Sequence, residues 1–494
     1  RTASPLILIG QNPGPTPFIS VLTLNLNQRS PLQAISFSIA PKPGSVTRAI
    51  SATYSRAYLL ARGYISPGGL QLFLPVFGLY ANYANTVTLT SYFSNSFFPV
   101  RQQVVIATAP FADPCGFNNR TVIQPRSQSR SLSYDFMLVK SDCGSFSPTI
   151  LDTDGEIRWA GVLPVSNLPA TLFQNALYLA NLTTLYRMEF DGTVTVMANY
   201  PGVSFNHNID YGKRGMILDE DIPGQVESFN AEVDSKGNVL KTWNLATIIS
   251  NAMIAGGDDP SLFVLPFPTD WFHNNATVYR KSDNSLIVSS RENFVIALDY
   301  DTGAIKWILG DPTKQWYQFA SLRKYALALA PGTVPPIGQH AVSFTADDRL
   351  LLFDDGQNSQ NHVPPGQQLT YSAPRKYNLN LTTGVATEVW NYTNNQSLFT
   401  PYCGSTYEDS PSNYLVDYAL ITNLGANTYA ELLGLDATEA KIFDYRYATV
   451  NCNTAWNSIP IHMENLKFTA VAGSSLAPGS AAEVENSGIT SSPR

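Results

Sequence analysis

One turn phrase recurs along this chain, and a repeat too short to bury its own apolar face folds only by stacking against its copies. A short apolar strand runs into an acidic turn with Gly, followed by an apolar residue and often Trp. The copies are LDTDGEIRWAG (Leu151 to Gly161), MEFDGTVTVMA (Met188 to Ala198), VDSKGNVLKTW (Val233 to Trp243), LDYDTGAIKWI (Leu298 to Ile308) and LNLTTGVATEVW (Leu379 to Trp390). A degenerate sixth, LDATEAKIFDY (Leu435 to Tyr445), is read with Ala440 in the place of Gly. An Asp/Thr-Gly turn takes positive φ between strands whose side chains alternate, so each copy predicts the hairpin joining the two outer strands of a blade. Six hairpins predict a six-bladed β-propeller over residues 132–469, in which radial repetition protects sheet edges and the innermost strands line a central channel. Trp159, Trp243, Trp307 and Trp390 recur with the phrase and are read as blade packing. The spacing grows from about 40 residues between the first two copies to about 80 between the fourth and fifth, which predicts inserted loops in blades three to five that wall a pocket at one channel end.

Composition supports an all-β chain. Charged residues make up 14%, while Tyr and Phe number 25 each, with 33 Pro and 32 Gly, a mix suited to strands and turns. A length of 494 residues exceeds one hydrophobic core, and two domains are expected. Residues 1–131 are rich in Pro, Thr and Ser and carry short alternating segments such as Ile35 to Ile39 and Val104 to Ala107, which predict an N-terminal β-sandwich-like domain. Residues 470–494, rich in Ser, Gly and Ala, predict a disordered tail. The net charge of −7 comes without a basic stripe, so no nucleic-acid partner is expected. No apolar run reaches the roughly 18 to 20 residues that cross a bilayer, and no membrane partner is expected.

The four cysteines allow three pairings and show no C-x-x-C spacing of a zinc or redox site. Cys115 with Cys143 and Cys403 with Cys452 is favoured because each pair closes the shorter loop. Six N-x-S/T sequons, at Asn119, Asn181, Asn275, Asn380, Asn391 and Asn395, together with the even cysteine count, predict a secreted chain bearing N-linked glycans. The start at Arg1, without Met or an apolar leader, is read as a mature form.

Two long ordered stretches carry a family resemblance. One is Asp270-Trp271-Phe272-His273-Asn274-Asn275, then Ser285 to Arg291, then Gly303 to Pro312; the other is Gly338-Gln339-His340-Ala341 leading to Leu351-Leu352-Phe353-Asp354-Asp355-Gly356. From about Tyr134 to Lys467 the chain resembles the arylsulfotransferases that work without a nucleotide sulfate donor. The resemblance implies a six-bladed propeller, an amino-terminal β-domain and histidines at the channel mouth, two of which fall on His273 and His340. His207, in Phe205-Asn206-His207-Asn208, occupies the same place in an earlier blade, so three of the five histidines are expected to converge.

Two departures bear on chemistry. The family's arginine after the Phe-Asp-x-Gly strand falls on Ser359, with Arg375 out of step, and its nucleophilic histidine, assigned to the last blade, falls on Ala455. Ping-pong sulfuryl transfer needs an imidazole nucleophile and cations on the sulfate oxygens, and Ala supplies neither. His462 could serve only if the alignment slips. The remaining imidazoles, His207, His273 and His340, can exchange protons with a phenol, enol or alcohol near neutral pH. Asp270, Asp354 and Arg291 are read as groups that orient the rings or raise their basicity, Arg291 and Asp354 also as binding groups, and Trp271, Tyr402 and Trp456 as flat apolar walls. His362, in a Gln/Asn/Pro loop, is expected to be exposed.

Such a pocket suits a small aromatic, tropolone-like substrate and an apolar terpene, with no cofactor and no metal implied. Here the chain also resembles secreted fungal glycoproteins of arylsulfotransferase ancestry that act as hetero-Diels–Alderases in tropolone sesquiterpenoid biosynthesis, although no motif carries that likeness. Sulfate transfer between phenols and a non-catalytic binding propeller stand as the alternative readings.

Overall fold

The computed structural model describes residues 6–26, 31–163 and 169–469; the tail expected at 470–494 lies outside the described residues. Each copy of the turn phrase forms the outer hairpin of a separate sheet, as its period requires. Six such sheets form the propeller, and the first strands of successive blades lie against one another around the channel. In blades three to six these are Ser204–Tyr211, Asn274–Arg280, His340–Phe344 and Ser405–Glu408.

The ring is closed by exchange between the two ends of the chain. Asn457–Ile461, close to the C-terminal end of the described residues, pairs antiparallel with Phe136–Lys140 and becomes the innermost strand of blade one. Thr121–Gln124 adds the outermost strand to blade six through Lys441–Ala448. Between blades the packing is apolar: Val278, Leu309, Val342 and Leu352 fill the seam of blades four and five, while Tyr178, Ile209 and Leu218 fill that of blades two and three.

The turns explain the repeat. Asp152 Oδ1 accepts the backbone N–H groups of Asp154 and Glu156 while Gly155 sits at φ 81°. In the degenerate copy Asp436 Oδ1 accepts those of Thr438 and Ala440, but the left-handed position belongs to Glu439 at φ 62°. The substitution for Gly is therefore Glu439 and not Ala440, and a hydrogen bond from Trp390 Nε1 to its carboxylate, at 3.0 Å, holds it there.

The N-terminal domain packs two sheets face to face. One holds Ile7–Pro13, Ile19–Asn25 and Gln71–Phe77; the other holds Ile50–Ser55, Leu32–Ile39, Ala84–Phe93 and Val100–Ala107. Leu466–Phe468 joins the second sheet parallel to Ile50–Ser55. Sheet membership therefore crosses the boundary expected at residue 131 in both directions, because Thr121–Gln124 belongs to the propeller and Leu466–Phe468 to the N-terminal domain. One apolar core runs from this domain into blades one and two, where Phe77 stacks on Phe190 at 4.6 Å. Disulfides join Cys115 to Cys143 and Cys403 to Cys452, the favoured pairings.

The expected insertions follow blades three and four and interrupt blade five. They comprise the helix Leu245–Ala255, the short helices Gln315–Gln318 and Ala320–Arg323, and the loop 355–372. They pack on one another. His362 is not exposed but buried in this wall, its Nε2 donating to Trp271 O at 2.7 Å, its Nδ1 2.8 Å from Gln315 Oε1, and its ring stacking on Phe263.

Four sequon asparagines, Asn119, Asn380, Asn391 and Asn395, are exposed, and Asn181 is half-buried. Asn275 departs from expectation: it is 1% exposed and the nitrogen that a glycan would occupy donates to Gln339 O at 2.9 Å. Passage of the chain through a secretory pathway, followed by peptide mapping after glycosidase treatment, is expected to find glycan at the exposed sequons and an unmodified Asn275.

His462 lies where the propeller meets the N-terminal domain, with Nε2 2.8 Å from Asp409 Oδ1 and Nδ1 2.8 Å from Glu464 Oε1. Arg48 joins the group through Glu464 and Asp135. Burial acts to lower the imidazole pKa, but the Asp409 and Glu464 carboxylates overcome it and raise it from 6.5 to about 9. A raised folded-state pKa gives stability that is complete below the ordinary value and lost as pH rises through about 9. Relative to a His462→Gln variant, the native chain should therefore lose about 3 kcal/mol of stability between pH 6 and pH 10, measured by denaturant unfolding of both proteins across that range.

Candidate active site at the channel mouth

The three histidines of blades three, four and five meet. His207 and His273 ring centroids are 4.7 Å apart, His273 and His340 6.3 Å, and His207 and His340 6.5 Å. The rings expected to converge do so, although the ladder position that His340 holds before its bulge is taken by Asn206 and Asn274 in blades three and four. His207 (φ 34°), His273 (φ 52°), Ala341 (φ 54°) and Cys403 (φ 62°) place a left-handed residue near the start of four successive inner strands. Such conformations are costly for non-glycine residues and persist where the surroundings hold them.

A belt of amides holds these kinks. Lys140 Nζ of blade one donates to Asn208 Oδ1 at 2.6 Å, Asn208 Nδ2 to Asn275 O at 2.8 Å, and Asn275 Nδ2 to Gln339 O at 2.9 Å. Gln339 Nε2 in turn donates to Ser290 O at 2.8 Å. Each of these amide side chains lies within two residues of a mouth histidine, so the belt fixes the spacing of the rings. Burial lowers the Lys140 pKa to about 8 against the pull of Asp210 and Asp219, and burial raises Asp210 to about 6 against Lys140. Beyond the belt, the later halves of the inner strands enclose a narrow apolar cavity lined by Ile209, Val278, Val342, Phe344, Tyr407 and Ile459, away from the histidines.

Each imidazole is oriented by a carboxylate. His207 Nε2 lies 3.1 Å from Glu227 Oε2, and His273 Nδ1 lies 2.8 Å from the same oxygen while also contacting Asp270 Oδ2. Burial opposes charge on His273, but Glu227 and Asp270 raise its pKa to about 10; Glu227 is held well below the usual range by His273 and His207 against its burial. His273 is an imidazolium at neutral pH. His340 differs: burial, then the charges of His273, Arg291 and His207, hold it well below 6.5. Its Nδ1 is 2.8 Å from Asp355 Oδ2, off the line of a hydrogen bond, and 3.3 Å from Gly338 O. Burial raises Asp355 well above its ordinary value despite Arg291, and neither of its oxygens has a hydrogen-bond partner among the described residues. A charged and a neutral imidazole thus stand side by side.

Other expected site residues divide. Arg291 is buried, bonded to Glu292 through Nη1, and its guanidinium lies 4.8 Å from the Tyr402 ring. Tyr402 is 37% exposed and its hydroxyl accepts from Gln360. Trp456 is half-buried with Lys140 Nζ 5.4 Å from its ring. Trp271 does not line the mouth: its side chain is fully buried and packs on Phe263 at 5.6 Å, because its strand start turns it into the core beneath the inserted helix. Asp354 is also turned away, with Oδ2 2.6 Å from Arg375 Nε and Oδ1 accepting the Ile337 and Gly356 N–H groups; the alternation of the strand gives the site to Asp355 instead. Ser359, at the family's arginine position, donates to Glu292 at 2.6 Å.

Among the described residues no fourth histidine joins these three rings. Ala455 is buried in the seam between blades six and one, just before the inner strand of blade one rather than of blade six. The corresponding strand start in blade six carries Tyr402 and Cys403, the latter tied into its disulfide. His462 is engaged with Asp409 and Glu464 beside the N-terminal domain. Sequence reading missed Glu227, which follows a tight Gly224 turn and carries no motif, and Lys140, which reaches the mouth only because the ring closes.

The fold and site define a propeller with an imidazole-lined mouth, and comparison with known proteins assigns its lineage. The profile described as "Arylsulfotransferase (ASST)" matches residues 121–463, and that of the "Arylsulfotransferase Ig-like domain" matches residues 18–109. The chain belongs to the arylsulfotransferase family. Two curated relatives are similar to it, arylsulfate sulfotransferase AssT of Escherichia coli O6:H1 (24% identical over 205 residues) and of Lelliottia amnigena (25% over 203 residues). Each alignment covers 33% of this chain and 34% of the relative, about a third of its length. Among solved structures, the Cps50 (Swd1) β-propeller domain of Myceliophteria thermophila is similar at 9% identity and TM-score 0.34, covering 67% of this chain and all of that one. BamB from Moraxella catarrhalis is similar at 11% identity and TM-score 0.29, covering 75% and 96%.

Glu227 is the principal attractive charge on His273. Glu227→Gln is expected to lower the His273 pKa by at least about one unit, read from the pH dependence of its imidazole nitrogen shifts by NMR, while His340 stays uncharged near neutrality.

Proposed function

We propose that this chain uses the family's propeller for proton transfer and orientation instead of sulfuryl transfer. It eliminates water from a hydroxymethyl tropolone or phenol and guides the resulting quinone methide into a hetero-Diels–Alder cycloaddition with a humulene-type alkene. The observation that carries this reading is the meeting of His207, His273 and His340 at a mouth whose sixth-blade position holds Tyr402 and a disulfide-bonded Cys403.

In this reading His273, protonated at working pH, gives a proton to the departing hydroxyl as the carbon–oxygen bond breaks, and water leaves. Neutral His340 accepts the proton of the ring hydroxyl, so the substrate loses one water and the site regains its charge state by proton exchange. No protein group bonds to His273 Nε2 or His340 Nε2 among the described residues, which leaves both nitrogens for substrate. The cycloaddition needs no covalent step, and holding two apolar partners in one dry mouth supplies several kcal/mol of orientation. Passage through the secretory pathway with N-linked glycans belongs to the same reading; the two disulfides accord with it.

A second reading is favoured by the family and by the activity for which the two relatives are named: neutral His340, flanked by imidazolium His273 and by Arg291, would accept a sulfuryl group from an aryl sulfate and pass it to a phenol. The two readings part in one pair of assays. With a hydroxymethyl tropolone and a humulene alcohol, His273→Ala or His340→Ala is expected to lower adduct formation at least about 100-fold with folding intact; unchanged yield and stereochemistry would remove the first reading. Release of nitrophenol from p-nitrophenyl sulfate in the presence of a phenol, with a sulfated histidine trapped by mass spectrometry, would establish the second.

A further inference from the structure

The sequence implied no metal, yet three donor atoms from two blades gather at the mouth. His207 Nε2, Glu227 Oε2 and His273 Nδ1 all lie within 4.8 Å of one another. Glu227 Oε2 sits between the two nitrogens, 3.1 Å from one and 2.8 Å from the other. Metal–nitrogen and metal–oxygen bonds of about 2.0–2.2 Å, set at right angles, separate neighbouring donors by about 2.8–3.1 Å. Hydrogen bonds have similar lengths, so spacing alone does not choose between a proton and an ion.

Hydrogen counting does choose. His273 Nδ1 faces two carboxylate oxygens, Glu227 Oε2 and Asp270 Oδ2, but carries at most one hydrogen. A third carboxylate, Asp221, accepts the Glu227 backbone N–H at 2.7 Å and adds to the negative field. The donors are reachable: the side chains of His207, Glu227 and His273 are 24%, 15% and 20% exposed. They are also held in place, since all three residues take left-handed φ, of 34°, 41° and 52°, and two of them flank the amide belt.

We propose that His207 Nε2, Glu227 Oε2 and His273 Nδ1 form a binding site for a divalent transition cation of the zinc class. The ion takes the place of the single proton between the carboxylates, Asp270 comes to it as the fourth ligand, and water fills the remaining positions. Two imidazoles and one carboxylate on one face of the ion match the preferences of zinc, cobalt and related cations rather than of magnesium or calcium. Loading leaves His273 Nε2 as an N–H donor toward substrate. The site stands on geometry and is independent of which reaction the mouth performs.

The test uses the full chain, freed of metal with a chelator and titrated with CoCl2 and ZnCl2. Expected are one cobalt per chain with visible d–d absorption, displacement by an equivalent of zinc, and a raised melting temperature. Glu227→Gln and the double variant His207→Ala/Glu227→Gln should lose the cobalt spectrum and at least 10-fold in zinc affinity, while His340→Gln keeps both. Circular dichroism of each variant establishes that it is folded. Absence of cobalt uptake by the native chain, or equal uptake by the folded double variant, overturns the proposal; MgCl2 binding with equal affinity does so as well.

Discussion

The pairing of Asn457–Ile461 with Phe136–Lys140 is the constraint on which the rest depends. Blades two to five are built from strands consecutive in sequence and blade six borrows only an outermost strand, so it is this innermost junction that turns a row of sheets into a ring. Closure converts a surface of inner strands into a channel, and it carries Lys140 to the mouth, where its ammonium anchors the amide belt. The same end of the chain continues past His462 into the N-terminal domain as Leu466–Phe468, so one segment ties both domains. A charged cluster at His462, Asp409, Glu464 and Arg48 marks the crossing.

The mouth works by uneven electrostatics on similar groups. Three imidazoles stand near the starts of inner strands, yet two share Glu227 and the third faces Asp355 in a buried setting. Carboxylates with hydrogen bonds to the imidazole favour its charge, whereas burial beside existing cations opposes it. Opposite protonation preferences within about 6 Å are the usual means by which one site holds an acid and a base together. The amide belt keeps the rings at that separation, and the left-handed backbone at His207 and His273 concentrates strain at the mouth.

Family membership and site geometry answer different questions. The propeller and its Ig-like partner are features of the family. The position of the family arginine is filled by Ser359, whose hydroxyl serves Glu292, and the strand start of blade six is locked by a disulfide. A common fold does not by itself transfer an activity, and the reaction is decided by the groups at the mouth.

Much of this was legible in the chain. A turn with Asp and a left-handed residue is a local event, so the six copies of the phrase marked every blade, and the recurrence of His at strand starts marked three residues of the mouth. Side-chain direction was less legible. Trp271 lies two residues from His273 and Asp354 next to Asp355, but one turns into the core and the other toward Arg375, because strand alternation and a kinked start decide which neighbour faces the channel. Glu439, read as an ordinary position, took the glycine's conformation with help from Trp390. The sequence by itself thus determined the architecture and the imidazoles, through short-range patterns of turn and apolar residues. Only the tertiary structure decided their partners: Glu227, Asp355 and Lys140 meet the histidines across strands and blades far apart in the chain, and such contacts leave no periodic trace.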